Sequence, residues 1–346
     1  LPLSHLLELV GGFLCTLYSG GKIAYINSLF PQDILQAMKD QSANRMLAVP
    51  LFFQMVKKQI EKNINKSPKV NRVIFWILFN VISPVAPLSI RRKIFKKIHI
   101  EFGGHLDYFM SGAAPLDIDT EIFFERIGLP ILQGYGLTET SPVASVNTKS
   151  HRKKGTVGRP LPETEIKILD DGEILIRGPH VTKGYYKQDD LTAEVIDSDG
   201  WFHTGDLGII DNDGYLIING RKKNLIVLGS GKNVQPEEVE EFLKGSPLFK
   251  DVCILGIPVT GSSRQGQEEV GCVVIPSDDQ LSSFPNEKSL VDALENEVNI
   301  RCKSVASYKR PTSIIVYKGE MPMTTTKKIK RNEVLEIAQS LRSENA

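Results

Sequence analysis

Ile131-Leu-Gln-Gly-Tyr-Gly-Leu-Thr-Glu-Thr-Ser-Pro142 runs from two apolar residues suited to a buried strand end, through two glycines around Tyr135, into the polar cluster Thr138-Glu139-Thr140. Glycine lacks Cβ and accepts positive φ at little steric cost, so backbone here can approach a flat or charged ligand. Tyr135 offers a ring face to a planar group, and a hydroxyl beside a carboxylate suits a phosphate and its hard cation. Upstream, Met110-Ser-Gly-Ala-Ala-Pro-Leu116 repeats the pattern, with small residues after the apolar run Tyr108-Phe-Met110. Downstream, Trp201-Phe-His-Thr-Gly-Asp-Leu207 brings a strand-like approach to its end in Asp206. Each piece taken alone is ordinary turn chemistry.

With 346 residues the chain can form two domains, each with its own core. A net charge of +1 gives no reason to invoke nucleic acid. Cys15, Cys253, Cys272 and Cys302 form no CxxC pair and no zinc spacing, which predicts reduced, mostly buried thiols and a cytoplasmic setting. The first residue is Leu1, and no basic segment precedes the apolar start, so the stretch does not read as a signal peptide. The chain is expected to begin inside a longer protein.

Apolar residues at Leu3, Leu6, Leu7 and Val10 follow helical spacing. Lys22 to Ile26 reads as a strand, Pro31 opens a helix, and Arg45 to Pro50 reads as another buried strand. This alternation favours an α/β layout. Asp117 to Arg126 reads as a helix. From Glu165 onward short strands with Gly or Asp turns take over, at Glu165–Leu169, Glu173–Arg177, Tyr215–Ile218 and Asn224–Leu228. Gly220-Arg-Lys-Lys-Asn224 interrupts them with charge, and the boundary is placed there, giving domains 1–221 and 222–346. Beyond it, helices at Pro236–Leu243, Leu290–Val298 and Arg331–Leu341 alternate with strands at Val252–Ile257, Val270–Ile275 and Ser313–Tyr317. That is an α+β domain.

Residues 57–100 stand apart. They hold eleven Lys or Arg against the single acid Glu61, in a chain whose total is +1. Val73 to Ile90 is uncharged and rich in Ile, Val and Phe, but Asn80, Pro84 and Pro87 argue against a clean membrane span. Three readings stand: buried helices lining or covering an acyl tunnel, contact with an anionic membrane surface, or a true span.

Ser111-Gly-Ala-Ala-Pro115, Gly134-Tyr-Gly-Leu-Thr-Glu-Thr140, Gly155–Pro160, Gly172–Tyr186, Gly200–Gly208 and Gly220–Glu240 occur in the order and wording that resemble the adenylate-forming, AMP-binding superfamily. Within it the match is closest to long-chain fatty acyl-CoA synthetases. The resemblance implies the C-terminal portion of a large multi-subdomain α/β adenylation domain, followed by a small mobile α+β C-terminal domain. It implies a ligase that activates a fatty acid with ATP and Mg²⁺ to an acyl adenylate and passes the acyl group to coenzyme A. Acyl carrier protein is the alternative acceptor. The family's Ser/Thr/Gly-rich triphosphate loop is absent from the chain, so a non-catalytic or partner-dependent fragment is the reading from a different class.

The same resemblance assigns roles by position. Gly112, Ala113, Ala114 and Gln133, Gly134, Tyr135, Gly136 match the adenine and ribose walls. Thr138 matches the donor to the α-phosphate and Glu139 the Mg²⁺ ligand. Asp206 matches the acceptor of both ribose hydroxyls, with Arg221 beside it, and His5 matches a residue bordering the acyl pocket. Lys223 matches the hinge, and Gly229-Ser-Gly-Lys-Asn233, with Gly231 and Lys232, the loop that faces coenzyme A. Pro322 to Arg331 resembles the segment of the catalytic lysine, Lys328 in that register. Lys327 stands where the family carries Gly, which leaves the register between the two lysines open. A peripheral position on the cytoplasmic face of a membrane is compatible with all of this.

Overall fold

The computed structural model describes residues 3–28, 30–259, 267–281, 283–324 and 329–344. The chain divides into two compact units, one of Leu1–Thr204 with Ile209–Ile218, the other of Gly205–Gly208 with Asn219–Ala346.

The first unit is built on a mixed five-stranded sheet in the order β1 (Arg45–Ala48), β2 (Tyr108–Ser111), β3 (Ile131–Tyr135), β4 (Ser145–Val146), β5 (Arg159–Pro160). The first three strands are parallel, with Ser111 opposite Gln133, and the last two join antiparallel. Parallel neighbours need helical crossovers. The helix before β3 shows how local sequence sets its limits. Asp117 accepts a hydrogen bond from Thr120 N at 2.7 Å and caps Ile118–Arg126. Gly128, at φ +85°, then turns the chain out, with Leu129 N donating to Phe124 O at 2.9 Å. Pro130 follows and β3 begins.

Behind the sheet, Phe53, Phe109, Phe124 and Phe102 are fully buried and meet edge to face at centroid distances of 5.1 to 5.7 Å. Such contacts add about 1 kcal/mol each beyond the area they bury. A second sheet follows in the order β6 (Glu165–Ile168), β7 (Glu173–Arg177), β8 (Phe202–Ile210), β9 (Leu216–Arg221). The division between the two units passes through β8 and β9.

The second unit carries a short hairpin, β10 (Ile226–Val227) with β11 (Asn233–Val234), and a three-stranded sheet of β12 (Phe249–Pro258), β13 (Glu268–Pro276) and β14 (Ser313–Val316). Helices Pro236–Leu243 and Glu287–Arg301 cover one face, and Arg331–Glu344 covers the other. Cys253, Cys272 and Cys302 are buried in these cores, whereas Cys15 is exposed in the first unit. Arg331 is half enclosed by acids: its guanidinium donates to Glu240 at 2.6 and 3.0 Å, to Glu237 at 3.1 Å and to Ile254 O at 2.7 Å.

Three expectations change. Lys22–Ile26 is not a strand; it has no regular secondary structure and is mostly exposed, and no strand among the described residues pairs with it. The strand expected at Asn224–Leu228 shrinks to Ile226–Val227, since Lys222–Asn224 forms a 3₁₀ turn. Residues 57–100 form neither a span nor fully buried helices. No helix among the described residues is long and apolar enough to cross a membrane. Phe75, Leu78 and Phe79 pack on the core while much of the remaining apolar surface of the segment is exposed.

Candidate functional site

Parallel strands open their carboxyl ends to ligands in α/β sheets, and here β2 and β3 end side by side. Their continuations, Gly112–Ala114 and Gln133–Gly136, are therefore neighbours. The left-handed residue among them is Ala113, at φ 69°, rather than any of the three glycines. The glycines answer to close packing instead. A Cβ on Gly136 would press on the carbonyl of Pro142 and come within 2.8 Å of Thr140 Oγ1, and one on Gly112 would sit 3.3 Å from Leu7. The turn closes on itself through these positions, so part of the room read as space for a ligand is filled by the chain.

Gln133 is buried and donates to Glu121 Oε2 at 3.0 Å, which also accepts from Gly155 N at 2.9 Å. Glu121 thus joins β3 to the Gly155–Pro160 loop. Burial, above all, pushes its carboxyl up to about 7, helped by the charge of Glu125 and opposed by the Gly155 N–H. Tyr135 is half-buried and packs against the cluster of Ala144, Ile174, Ile176 and Leu216.

Thr138–Thr140 forms a 3₁₀ turn held by Thr140 Oγ1, which accepts from Leu137 N at 2.8 Å. Thr138 is exposed, Glu139 half-buried and Thr140 buried. The hydroxyl of Tyr185 donates to Glu139 Oε1 at 3.0 Å, and Glu139 O accepts from Thr182 N at 2.7 Å. Burial and the neighbouring carboxylate both raise the Tyr185 hydroxyl pKa. Glu139 Oε2 accepts no hydrogen bond from the described residues.

His5 lies at the start of the first helix, where its carbonyl accepts from Glu8 N and Leu9 N at 3.0 Å. The next helical residue but one, Leu7, is the side chain against Gly112. A cleft of about 410 Å³ in this unit lies elsewhere: Glu121, Glu125, Ile131, Arg152 and Lys154 line it at the opposite end of β3.

In the second unit, Asp206 is buried and accepts from Arg221 Nε at 2.6 Å. Asp206 does not end its strand, as expected, but sits in the middle of β8, which continues to Ile210. Lys223 belongs to the 3₁₀ turn after β9, and Asn224 in the same turn donates to Glu237 at 2.8 Å. Gly231 and Lys232 form the tip of the β10–β11 hairpin, where Gly231 takes φ +74° and Lys232 lies 4.5 Å from the ring centroid of Tyr308. Lys328 and Lys327 lie outside the described residues.

Two residues of the first unit were missed from sequence. Tyr185 sits in the quoted Gly172–Tyr186 motif but meets Glu139 across 46 positions. Glu121 could have been found as an acid on the buried stripe of an amphipathic helix, beside Phe124.

Among described residues no group of three or more His, Cys, Asp or Glu could hold a metal ion. Glu139, with one oxygen held and the other without a hydrogen bond, fits the single-carboxylate pattern of Mg²⁺ shared with phosphate oxygens.

Residues 1–186 match the model of the AMP-binding enzyme family, and residues 223–340 match that of the AMP-binding enzyme C-terminal domain. The long-chain-fatty-acid–CoA ligase FadD15 of Mycobacterium bovis is 34% identical over 259 residues, 71% of this chain and 43% of that protein. Long-chain-fatty-acid–CoA ligase 3 of Saccharomyces cerevisiae is 27% identical, over 98% of this chain and 54% of that protein. The solved structure of ATP-bound MatB from Rhodopseudomonas palustris, 27% identical, superposes with a TM-score of 0.72 over 98% of this chain and 59% of that one. The chain thus spans about half the length of the curated relatives it matches. With its family model matched over more than half of its residues, this chain belongs to the AMP-binding enzyme family.

Proposed function

We propose that the protein activates a long-chain fatty acid with ATP and transfers the acyl group to coenzyme A, releasing AMP and pyrophosphate. The observation that carries this reading is that Gly112, just past the end of β2, lies beside Gly134 at the end of the adjacent parallel strand β3, with Glu139 in the turn that follows. That the similar ligases of Mycobacterium bovis and Saccharomyces cerevisiae are long-chain-fatty-acid–CoA ligases supports a fatty acid as the carboxylate substrate.

A carboxylate is a poor acyl donor because it repels nucleophiles and would have to expel oxide. Its oxygen therefore attacks the α-phosphorus of ATP, the bond to the bridging oxygen breaks, and pyrophosphate leaves with the electron pair. The sulfur of a deprotonated thiol then attacks the acyl carbon, and AMP departs with its oxygen. Both steps gather negative charge, so positioning and electrostatics dominate. In this reading Tyr135 offers its exposed side to the adenine and Thr138, whose hydroxyl is exposed, donates to the α-phosphate. Glu139 is oriented by Tyr185 for Mg²⁺, which when bound neutralises phosphate charge. Asp206, held by Arg221, accepts from the ribose hydroxyls. Lys328 supplies the cation between carboxylate and α-phosphate.

The reading takes 1–221 as part of the large domain and 222–346 as a small domain that moves about Lys223. It takes Gly231 and Lys232 at the hairpin tip to the thiol substrate, and His5 to the acyl chain. Hydroxylamine trapping of acyl adenylate in protein carrying Lys328→Ala tests the lysine: a normal rate would overturn its assignment. Offering coenzyme A and acyl carrier protein side by side identifies the acceptor. Calorimetry of this chain with Mg²⁺ and ATP tests the fragment reading. Affinity equal to that of a complete synthetase removes it, and no binding supports it.

A further inference from the structure

We propose that the outer face of the helix Lys69–Ile77, with its continuation Leu78–Ile82, docks on an anionic lipid surface. The inner stripe of this helix is fully accounted for. Phe75 stacks on Phe79 at 5.4 Å, Phe79 meets Phe123 at 5.4 Å, and Phe75 meets Phe95 at 5.6 Å. The opposite stripe is just as apolar: Val70, Val73 and Ile77 recur at i, i+3 and i+7, with Val81 beyond them, and all four are exposed. Trp76 is 59% exposed at the edge of this stripe, and Val85, in the loop after the helix, is 84% exposed. A surface helix normally places polar residues on that side, and a contiguous apolar patch of this kind marks an interaction surface.

The cations choose the partner. Composition alone credited residues 57–100 with eleven basic side chains, and the structure divides them. Arg91 and Arg92 are internal ties: Arg91 pairs with Glu125 at 3.1 Å and donates to Ala86 O, while Arg92 pairs with Asp107 at 3.0 Å and donates to Gly128 O. Lys62, Lys66, Lys69 and Arg72 are exposed, and none has an ion-pair partner among the described residues. They lie on and just before the helix with the apolar stripe. Apolar side chains that enter the acyl boundary while Lys and Arg reach to headgroup phosphates are the chemistry of an interfacial helix. Since no helix among the described residues is long and apolar enough to cross a membrane, this helix would lie on the surface rather than span it.

The test is co-sedimentation of the chain with phosphatidylcholine vesicles, with and without phosphatidylglycerol, at low and high salt. Binding is expected only with phosphatidylglycerol and to weaken with salt. The triple change Lys66→Gln, Lys69→Gln, Arg72→Gln should weaken it roughly 100-fold. In a Trp201→Phe background, the emission of Trp76 should shift to the blue when the same vesicles are added. Equal binding to neutral vesicles, parental binding by the triple variant, or unmoved Trp76 emission would each overturn the proposal. Emission that depends on protein concentration without lipid, together with a dimer in size-exclusion chromatography, would assign the face to a second copy and overturn it too.

Discussion

Glu121 carries a carboxyl on the buried stripe of its helix, where dehydration opposes its charge more strongly than the Gly155 and Gln133 donors favour it. Its pKa rises from 4.5 to about 7 on folding. A group raised in this direction contributes stability that is fully present below its unfolded value and is lost as pH climbs through the folded one. At roughly 1.4 kcal/mol per pKa unit, the contribution is about 3 kcal/mol. Urea midpoints are therefore expected to fall between about pH 5 and about pH 8. Glu121→Gln, whose amide oxygen still accepts from Gly155, should lose this slope and exceed the parent at the upper end. A parental slope in the variant would place the titration elsewhere. At the candidate site, Glu139→Gln should slow pyrophosphate release in the presence of fatty acid by about 100-fold or more, while Tyr185→Phe, which removes only an orienting bond, should slow it a few-fold. Glu139 was legible because its neighbours announce it. Tyr185 was not, since nothing local couples residues 46 positions apart.

The helix Ile118–Arg126 was legible for the opposite reason: everything that defines it is local. Asp117 caps it, apolar residues recur along it, and Gly128 ends it. Asp117→Ala should cost about 1 kcal/mol in a urea titration, with an added loss from the Gln54 bond to the same carboxylate. A cost near zero would mean that Thr120 N finds water instead. Lys22–Ile26 has comparable local preference for a strand and forms none, because a strand exists only with a neighbour to pair with. Gly158 marks a third case. It takes φ +89°, and a Cβ there would run into the backbone of Val146 in β4, so Gly158→Ala should destabilise the first unit by about 3 kcal/mol. The sequence shows the glycine but not what lies against it.

Across the whole chain the alternation of strands and helices before Glu165, and the strands and helices that alternate after Pro236, were enough to predict an α/β layout followed by an α+β domain, because the residues that start and stop those elements are local. How the basic residues of 57–100 divide between internal ties and surface was not readable, since that depends on which carbonyls Arg91 and Arg92 meet. The two units also have different reporters. Trp76 and Trp201 both lie in the first unit, so tryptophan emission follows that unit alone, whereas far-ultraviolet circular dichroism follows both. Arg331→Leu strands Glu240 beside a guanidinium-shaped gap and should cost about 3–5 kcal/mol. The loss is expected in circular dichroism, with the tryptophan transition unmoved; a shift of the tryptophan transition would show the units unfolding as one. The distribution of sulfur adds a clock to these reporters. Cys15 is exposed, and the three remaining thiols sit in the second unit's cores, with Cys253 pushed up to about 12 by burial. A thiol reagent should therefore label one position at once and the other three only as fast as the second unit opens, so the slow phase times the breathing of that unit without any engineered probe.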